Sequence, residues 1–150
     1  MNIQQLSPAM KVTQVKTTQA AGTTNIQSDA VDMSGFEGVV FVVSMGAITS
    51  GAATSANLQQ SSTAALGATE ADLEGSAITI ADDDDNQCLV LDVYRPTKRY
   101  VNAIVLRATQ NSVINSIVAF QYGAELTPTT NDASTVIGRL TLISPDEGTA

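Results

Sequence analysis

The chain of 150 residues has no histidine, no tryptophan and a single cysteine, Cys88. A tetrahedral zinc site needs several cysteine or histidine ligands, and a Ser-His or Cys-His catalytic pair needs a histidine, so both are excluded. The sequence also lacks a G-x-S-x-G motif and a P-loop. Fifteen acidic residues are present, but no spacing selects a pair for acid-base catalysis. We therefore predict a protein that is not an enzyme and has neither catalytic residues nor a cofactor.

Basic residues are scarce as well. Seven Lys and Arg stand against fifteen Asp and Glu, which gives a net charge of -8. Binding to a phosphate backbone needs clustered positive charge, so the composition argues against a nucleic-acid partner. The longest apolar stretch, residues 39–43, is far shorter than a bilayer span, and the N-terminal residues show no signal-peptide pattern. We expect a soluble protein without a membrane partner, and one lone cysteine permits a reducing compartment.

The residues that are abundant, Thr, Ser, Ala and Val, favour strands and polar turns. "FEGVVFVVSMGAI" is apolar on both faces, which predicts a strand in the centre of a sheet. "SAITI", "CLVLDVY", "RYVNAIVLRA" and "SVINSIVAFQYGAEL" follow as four further strand candidates joined by short turns. Such spacing is typical of a sandwich or barrel. We predict an all-β fold, an antiparallel β-sandwich or jelly-roll-like domain with extended N- and C-terminal arms.

The two ends of the chain differ from its centre. We predict an N-terminal arm over residues 1–10, the β domain over 11–126 and a C-terminal arm over 127–150. In the last segment the polar linker "TPTTNDAST" precedes "VIGRLTLI", which reads as a short apolar strand. A lone strand cannot bury its own apolar side chains, so it must pair with a sheet edge of this domain or with a neighbouring subunit. The expected interface residues there are Val136, Ile137, Leu140 and Leu142.

Four consecutive aspartates, Asp82 to Asp85, lie between two apolar runs. An EF-hand loop starting at Asp82 would need Gly at its sixth position and Glu at its twelfth, but Gln87 and Val93 stand there. A looser calcium site with Asp82 and Asp84 as candidate ligands remains open. The favoured interpretation is a hairpin turn, because Asp and Asn hydrogen-bond their own backbone.

A basic cluster follows, in which Arg95, Lys98, Arg99 and Arg107 are four of the seven positive residues, while seven acids lie between residues 70 and 85. Both groups could be solvated loops and strand edges, where surface ion pairs contribute little. Alternatively, Arg95, Lys98 and Arg99 form a basic face that meets an acidic face of another subunit and fixes its register. The sequence leaves both interpretations open.

The order of several segments carries a resemblance. "VDMSGFEGVVFVVSMGAI", "LQQSSTAA" with "ADLEG", "ADDDDNQ", "YRPTKRYVNAIVLRAT" and the tail "SPDEGTA" follow one another from about Val31 to the C-terminus. In this order they resemble a family of small virion proteins of tailed bacteriophages. The resemblance implies a capsid cement (decoration) protein: a β-sandwich subunit, made in the host cytoplasm, that forms homotrimers on the outside of an expanded head and links neighbouring subunits of the major capsid protein.

Two alternatives are kept. The same resemblance fits a ring protein of the head-tail connector or tail, which would differ from a cement protein in its copy number. From another class, the chain could be a carbohydrate-binding adhesion module on the particle surface, with Tyr94, Tyr100 and Tyr122 stacking on sugars. Those tyrosines lie within apolar strand patterns, where packing is their more frequent use.

Overall fold

A computed structural model describes residues 5–67 and 69–149 of the chain. These residues form one 3-10 turn and eleven strands, and the long strands coincide with the β-rich apolar segments of the sequence. In chain order they are the turn (Ser7–Ala9), β1 (Lys11–Lys16), β2 (Gln19–Gly22), β3 (Ile26–Gln27), β4 (Val31–Asp32), β5 (Gly38–Ile48), β6 (Ala53–Ser61), β7 (Ala71–Asp72), β8 (Ile78–Ile80), β9 (Cys88–Tyr94), β10 (Tyr100–Ala108) and β11 (Ser112–Tyr122).

The strands form two antiparallel sheets that pack face to face. The first sheet has the order β1-β11-β5-β9, with β2 also on β11, and the second has the order β3-β10-β6-β7, with β4 on β10 and β8 on β6. Strands β1 and β2 lie end to end at one edge of the first sheet and so occupy a single strand position. In the second sheet, β3 with β4 and β7 with β8 do the same, which leaves four positions in each sheet. When these eight positions are numbered in chain order, the first sheet has the order 1-8-3-6 and the second 2-7-4-5, which is the connectivity of a jelly roll. The predicted all-β sandwich is confirmed.

The core lies between the sheets and is made of small and branched side chains. β5 is an interior strand between β11 and β9, as its two apolar faces predict, and Val39, Phe41 and Val43 on its inner side are fully buried. They face Val101 and Val105 of β10, which are fully buried as well. Each such side chain contributes about 1.5–3 kcal/mol by leaving water. The inner faces therefore account for the packing of the sandwich, and the outer faces are left for other uses.

Candidate assembly surfaces

The outer face of the first sheet is apolar across all four of its strand positions. Phe120 lies opposite both Val12 and Val40, while Val42 lies between Val118 and Val90. Each of these side chains remains partly exposed, and Val90 is 55% exposed. We call this surface the valine face: Val12, Val40, Val42, Val90, Val118 and Phe120. Apolar side chains gathered on the solvent side of a sheet mark an interaction surface more often than scattered ones do.

One end of the valine face is fixed by a tyrosine lying across a glycine. Gly38 stands between Tyr94 and Tyr122, and a Cβ atom at Gly38 would come within 2.3 Å of the Tyr122 ring. The missing side chain lets the Tyr122 hydroxyl reach Asp92 and donate a hydrogen bond of 2.8 Å to its Oδ1. Burial, followed by this hydrogen bond, raises the pKa of Tyr122 to about 12. Of the predicted sugar-stacking tyrosines, Tyr94 is more than half exposed.

The outer face of the second sheet carries a network of amides instead. The Oε1 atom of Gln59 accepts hydrogen bonds from Gln27 (2.8 Å) and Asn102 (3.1 Å), and its Nε2 donates to Asp72 (2.8 Å). Asn57 donates to the same Asp72 oxygen at 2.9 Å. Asn57 and Asn102 are buried although they point away from the core. We call Gln27, Asn57, Gln59, Asn102 and Asp72 the amide face; it satisfies most of its polar groups within the chain.

The C-terminal segment leaves β11 and runs beside the first strand. The Thr129 amide donates to the Pro8 carbonyl (2.9 Å), and the Asn131 side chain accepts the Val12 amide (2.9 Å) on the side of β1 away from β11. Further along, Arg139 donates to the Ser7 carbonyl at 3.0 Å. Residues 5–10 of the predicted N-terminal arm are thus tied to the C-terminal segment, and residues 1–4 lie outside the described part of the chain.

Residues 136–143 form no strand in this chain, although the sequence predicts one there. We call them the arm. Ile137 is fully exposed, and Leu140, Leu142 and Ile143 are between 61% and 87% exposed, whereas Val136 is partly buried beside a turn formed by Asp132. The physical reason for the difference is that an isolated eight-residue segment becomes a strand only when another strand offers it backbone hydrogen bonds. That these residues pair with a neighbouring subunit stays a prediction.

The predicted basic cluster is largely neutralised inside the chain. Arg99 makes a two-pronged contact with Asp32, with Nε to Oδ1 at 2.9 Å and Nη2 to Oδ2 at 2.8 Å, and this contact lowers the pKa of Asp32. Arg95 lies 3.4 Å from Glu37 and over the ring of Tyr94. Both pairs are well exposed, so each contributes little to stability. A role of Arg95, Lys98 and Arg99 in subunit register stays a prediction.

Arg107 does not belong to that surface, contrary to its placement in the basic cluster. It is 6% exposed and lies at the end of the sandwich. Its Nε donates to the Thr24 carbonyl (2.7 Å), and its Nη1 donates to the carbonyls of Ala20 (3.0 Å) and Ser112 (2.7 Å). Burial lowers the pKa of this guanidinium. The period-two series Val101, Ala103, Val105, Arg107 is the sequence signal for an inward-pointing arginine.

The aspartate segment is a turn, but it does not close a hairpin. β8 pairs in the second sheet and β9 in the first, so residues 81–87 carry the chain between sheets. The carboxylate of Asp82 accepts the Gly51 amide (2.6 Å), Asp84 accepts the Ala81 amide (2.8 Å), and Asp85 accepts the Ile48 amide. The candidate calcium ligands Asp82 and Asp84 therefore hold the backbone of this turn and its neighbouring loop together.

Comparison with known proteins adds no family to this picture. No protein-family model matches the chain, and no curated protein is significantly similar to it. Within residues 5–67 and 69–149, no helix has the length and apolar composition that a membrane crossing requires. In the same residues, no cluster of three or more His, Cys, Asp or Glu side chains has an arrangement that could hold a metal ion.

Proposed function

We propose that this protein is a structural subunit of a bacteriophage virion that binds the outside of an expanded capsid and links neighbouring capsid subunits. One observation carries the proposal: a self-contained sandwich holds an eight-residue arm whose Ile137, Leu140, Leu142 and Ile143 are exposed. A monomeric soluble protein gains nothing from such a segment, whereas an assembling one can bury it against a neighbour.

The energy available from one arm is small. Burying four Ile or Leu side chains yields about 6–12 kcal/mol at most, at roughly 1.5–3 kcal/mol for each. Ordering the backbone of eight residues opposes this gain with a conformational-entropy cost of about 8–16 kcal/mol. Each new backbone hydrogen bond offsets that cost by a net amount of about 0.5–1.5 kcal/mol. A single arm is therefore a weak clamp. Many copies on one shell add such contacts through multivalency, which is how a decoration protein would reinforce a head without any turnover.

Two further properties agree with this role. The jelly-roll connectivity is shared by viral capsid domains and by lectins, so it supports a virion subunit only as an analogy of fold. The net charge of -8 keeps free subunits soluble before assembly and disfavours contact with packaged DNA. The valine face supplies a second apolar surface in addition to the arm, and we assign it to the capsid.

The first experiment is cryo-electron microscopy of the phage particle that contains this chain. We expect density for the sandwich as clusters on the outer shell, with the valine face toward the capsid. A ring at the vertex or along the tail would replace the proposal with the connector or tail alternative. A surface spike that makes no contact between capsid subunits, together with glycan binding by the isolated chain, would favour the adhesion module.

A binding assay tests the arm within this function. Expanded heads are incubated with the full chain, with a truncation after Leu126, and with a control truncation after Ile143 that removes only the acidic tail. We expect the control to sediment with heads as the full chain does, and the truncation after Leu126 to lose at least tenfold in retained protein while its thermal unfolding stays cooperative. Full occupancy by the shorter chain would remove the arm from the mechanism.

A further inference from the structure

The edge of the first sheet at β9 offers unpaired backbone groups. Antiparallel hydrogen-bonded pairs alternate along two strands, and the bonds Arg95 N to Glu37 O and Met45 N to Gln87 O assign the odd-numbered residues of β9 to β5. The even-numbered residues therefore turn their N–H and C=O groups outward. Within the described residues, the backbone of Cys88, Val90, Asp92 and Tyr94 makes no hydrogen bond on that side.

The arm also has unpaired backbone groups. Among the described residues, the backbone of residues 137–143 has no hydrogen-bond partner, and its large apolar side chains are exposed. The arm is eight residues long and β9 is seven, so one can lie along the whole length of the other. An uncovered edge of this kind is a template for another strand.

We propose that the arm of one copy adds to the free edge of β9 in a second copy as an antiparallel fifth position of the first sheet. This deepens the proposed function by naming the partner of the arm: another copy of this chain. The strand order becomes β1-β11-β5-β9-arm, with backbone hydrogen bonds to the even-numbered residues of β9.

The charges select the register. Asp92 is the only residue of β9 whose side chain is charged at neutral pH, and Arg139 is the only such residue of the arm. Placing Arg139 opposite Asp92 gives the further pairs Ile137 with Tyr94, Thr141 with Val90 and Ile143 with Cys88. Leu140 and Leu142 then lie beside Leu91 and Leu89, which point toward the core. In the isolated chain, Arg139 donates hydrogen bonds to two neutral oxygens, the Ser7 carbonyl and the Thr129 hydroxyl. In the proposed contact it donates to the carboxylate of Asp92 instead, which is the stronger acceptor.

The position of the arm makes the contact one between copies. The arm leaves the domain beside β1, and β9 is at the opposite edge of the same sheet, three strand spacings or about 14 Å away. To reach its own β9 the arm would have to cross the valine face. Donor edge and acceptor edge differ, so the contact is head-to-tail, and repetition gives a closed ring or an open chain.

Cysteine cross-linking of the purified full-length chain tests this register without any capsid. The natural chain, with Cys88 as its only cysteine, is mixed with a tagged Cys88→Ser, Ile143→Cys variant under mild oxidation. No chain then holds both cysteines, so a disulfide between positions 88 and 143 joins two copies. Directly opposed Cβ atoms lie about 4.5–5.5 Å apart, close enough for a disulfide after a small adjustment at the strand end.

The matched control is Cys88→Ser, Leu142→Cys, because residue 142 is also exposed but points to the other face of the added strand. We expect the hetero-disulfide with Ile143→Cys to exceed that of this control at least tenfold. Equal yields would overturn the proposal, because they would report random collision. A dominant product with Thr135→Cys would overturn the antiparallel register, since parallel addition places residue 135 opposite Cys88.

A charge exchange provides the second test. Arg139→Asp and Asp92→Arg each should reduce the concentration-dependent mass measured by light scattering, and the two variants mixed or combined should restore it. Unchanged association in both single variants would contradict the register. Binding to expanded heads tests the proposed function separately. If copies cross-link but do not bind heads, the capsid role is wrong and this inference stands. If chains bind heads but never cross-link, this inference is wrong and the capsid role stands.

Discussion

The two sheets bury similar inner faces but present opposite chemistries to the outside. The valine face of the first sheet leaves apolar side chains such as Val90 partly in water. The amide face of the second sheet gathers its polar side chains around Gln59 and pairs them with Asp72, with Ile104 and Leu106 as its apolar neighbours. A sandwich needs only its inner faces to be apolar. The second sheet thus satisfies most of its outward polar groups within the chain, while the first leaves apolar side chains uncovered.

This difference separates stability from assembly. On the amide face, a lost hydrogen bond strands a buried polar atom, which lowers the free energy of unfolding. On the valine face, a polar substitution changes little inside the isolated chain but alters what the surface can bury against a neighbour. Substitutions of equal size on the two faces should therefore have effects of different kinds.

The largest effect on stability is expected for Gln59→Ala. Asn102 is 1% exposed, and its Nδ2 donates to Gln59, so the truncation leaves that donor buried without an acceptor. We expect a loss of about 2 kcal/mol in the free energy of unfolding, or about 4–8 °C in melting temperature. The control is Gln14→Ala, the same change at an exposed position beside the valine face, which should cost less than about 0.5 kcal/mol. Equal losses in both variants, measured by urea unfolding, would refute the contrast.

The valine face is tested by Val42→Lys. Val42 is in the middle of this face, between Val118 and Val90. We expect retention on expanded heads to fall at least tenfold, about 1.4 kcal/mol, because a lysine would have to be desolvated at the contact. Stability of the free chain should fall by no more than about 1 kcal/mol. Val42→Thr is the isosteric control, with a smaller loss in cosedimentation. Undiminished binding of the lysine variant would show that this face does not touch the capsid.

Much of the fold could be predicted from local patterns. β5 is apolar at nearly every position, which predicted an interior strand, and the segments of β9, β10 and β11 were predicted within a few residues. Local patterns do not state which sheet a strand joins. The aspartate turn therefore predicted a hairpin, although β8 and β9 belong to different sheets. Likewise, "VIGRLTLI" has a strand pattern but pairs with no strand among residues 5–67 and 69–149, and strand formation depends on such a neighbouring strand.

The candidate surfaces were harder to predict, because they depend on register between distant segments. The outward residues of β5 could have indicated the valine face, since Val40 and Val42 are not needed for the core. The amide face unites residues from four strands, β3, β6, β7 and β10, and no spacing in the sequence connects Gln27 with Gln59 or Asn102. Sequence proximity places Arg107 with its basic neighbours, whereas the alternation of side chains along β10 turns it inward with Val101, Ala103 and Val105.

A smaller effect on stability, confined to alkaline pH, is expected at Tyr122, which lies at one end of the valine face. The pKa of Tyr122 is raised to about 12 in the folded chain, above its ordinary value of 10.0, so folding favours the protonated phenol. This contribution is complete below pH 10 and is lost as pH rises from 10 to 12. Tyr122→Phe keeps the ring over Gly38 but loses the hydrogen bond to Asp92, at about 1 kcal/mol. The stability of the natural chain should fall toward that of the variant as pH rises above 10; parallel curves would show that the Tyr122 hydroxyl is not the group responsible.

The smallest effect is expected at the Arg99 and Asp32 pair beside the second sheet. The Arg99 hydrogen bond lowers the pKa of Asp32 below its ordinary value of 3.8, so the pair stabilises the fold above that pH and loses this contribution as pH falls through the lowered value. Both side chains are about half exposed, so Arg99→Gln should cost less than about 0.5 kcal/mol at neutral pH. Carboxyl titration by NMR should show the pKa of Asp32 rising in the variant. A loss above 1 kcal/mol would mean that this ion pair contributes more to stability than exposed pairs ordinarily do.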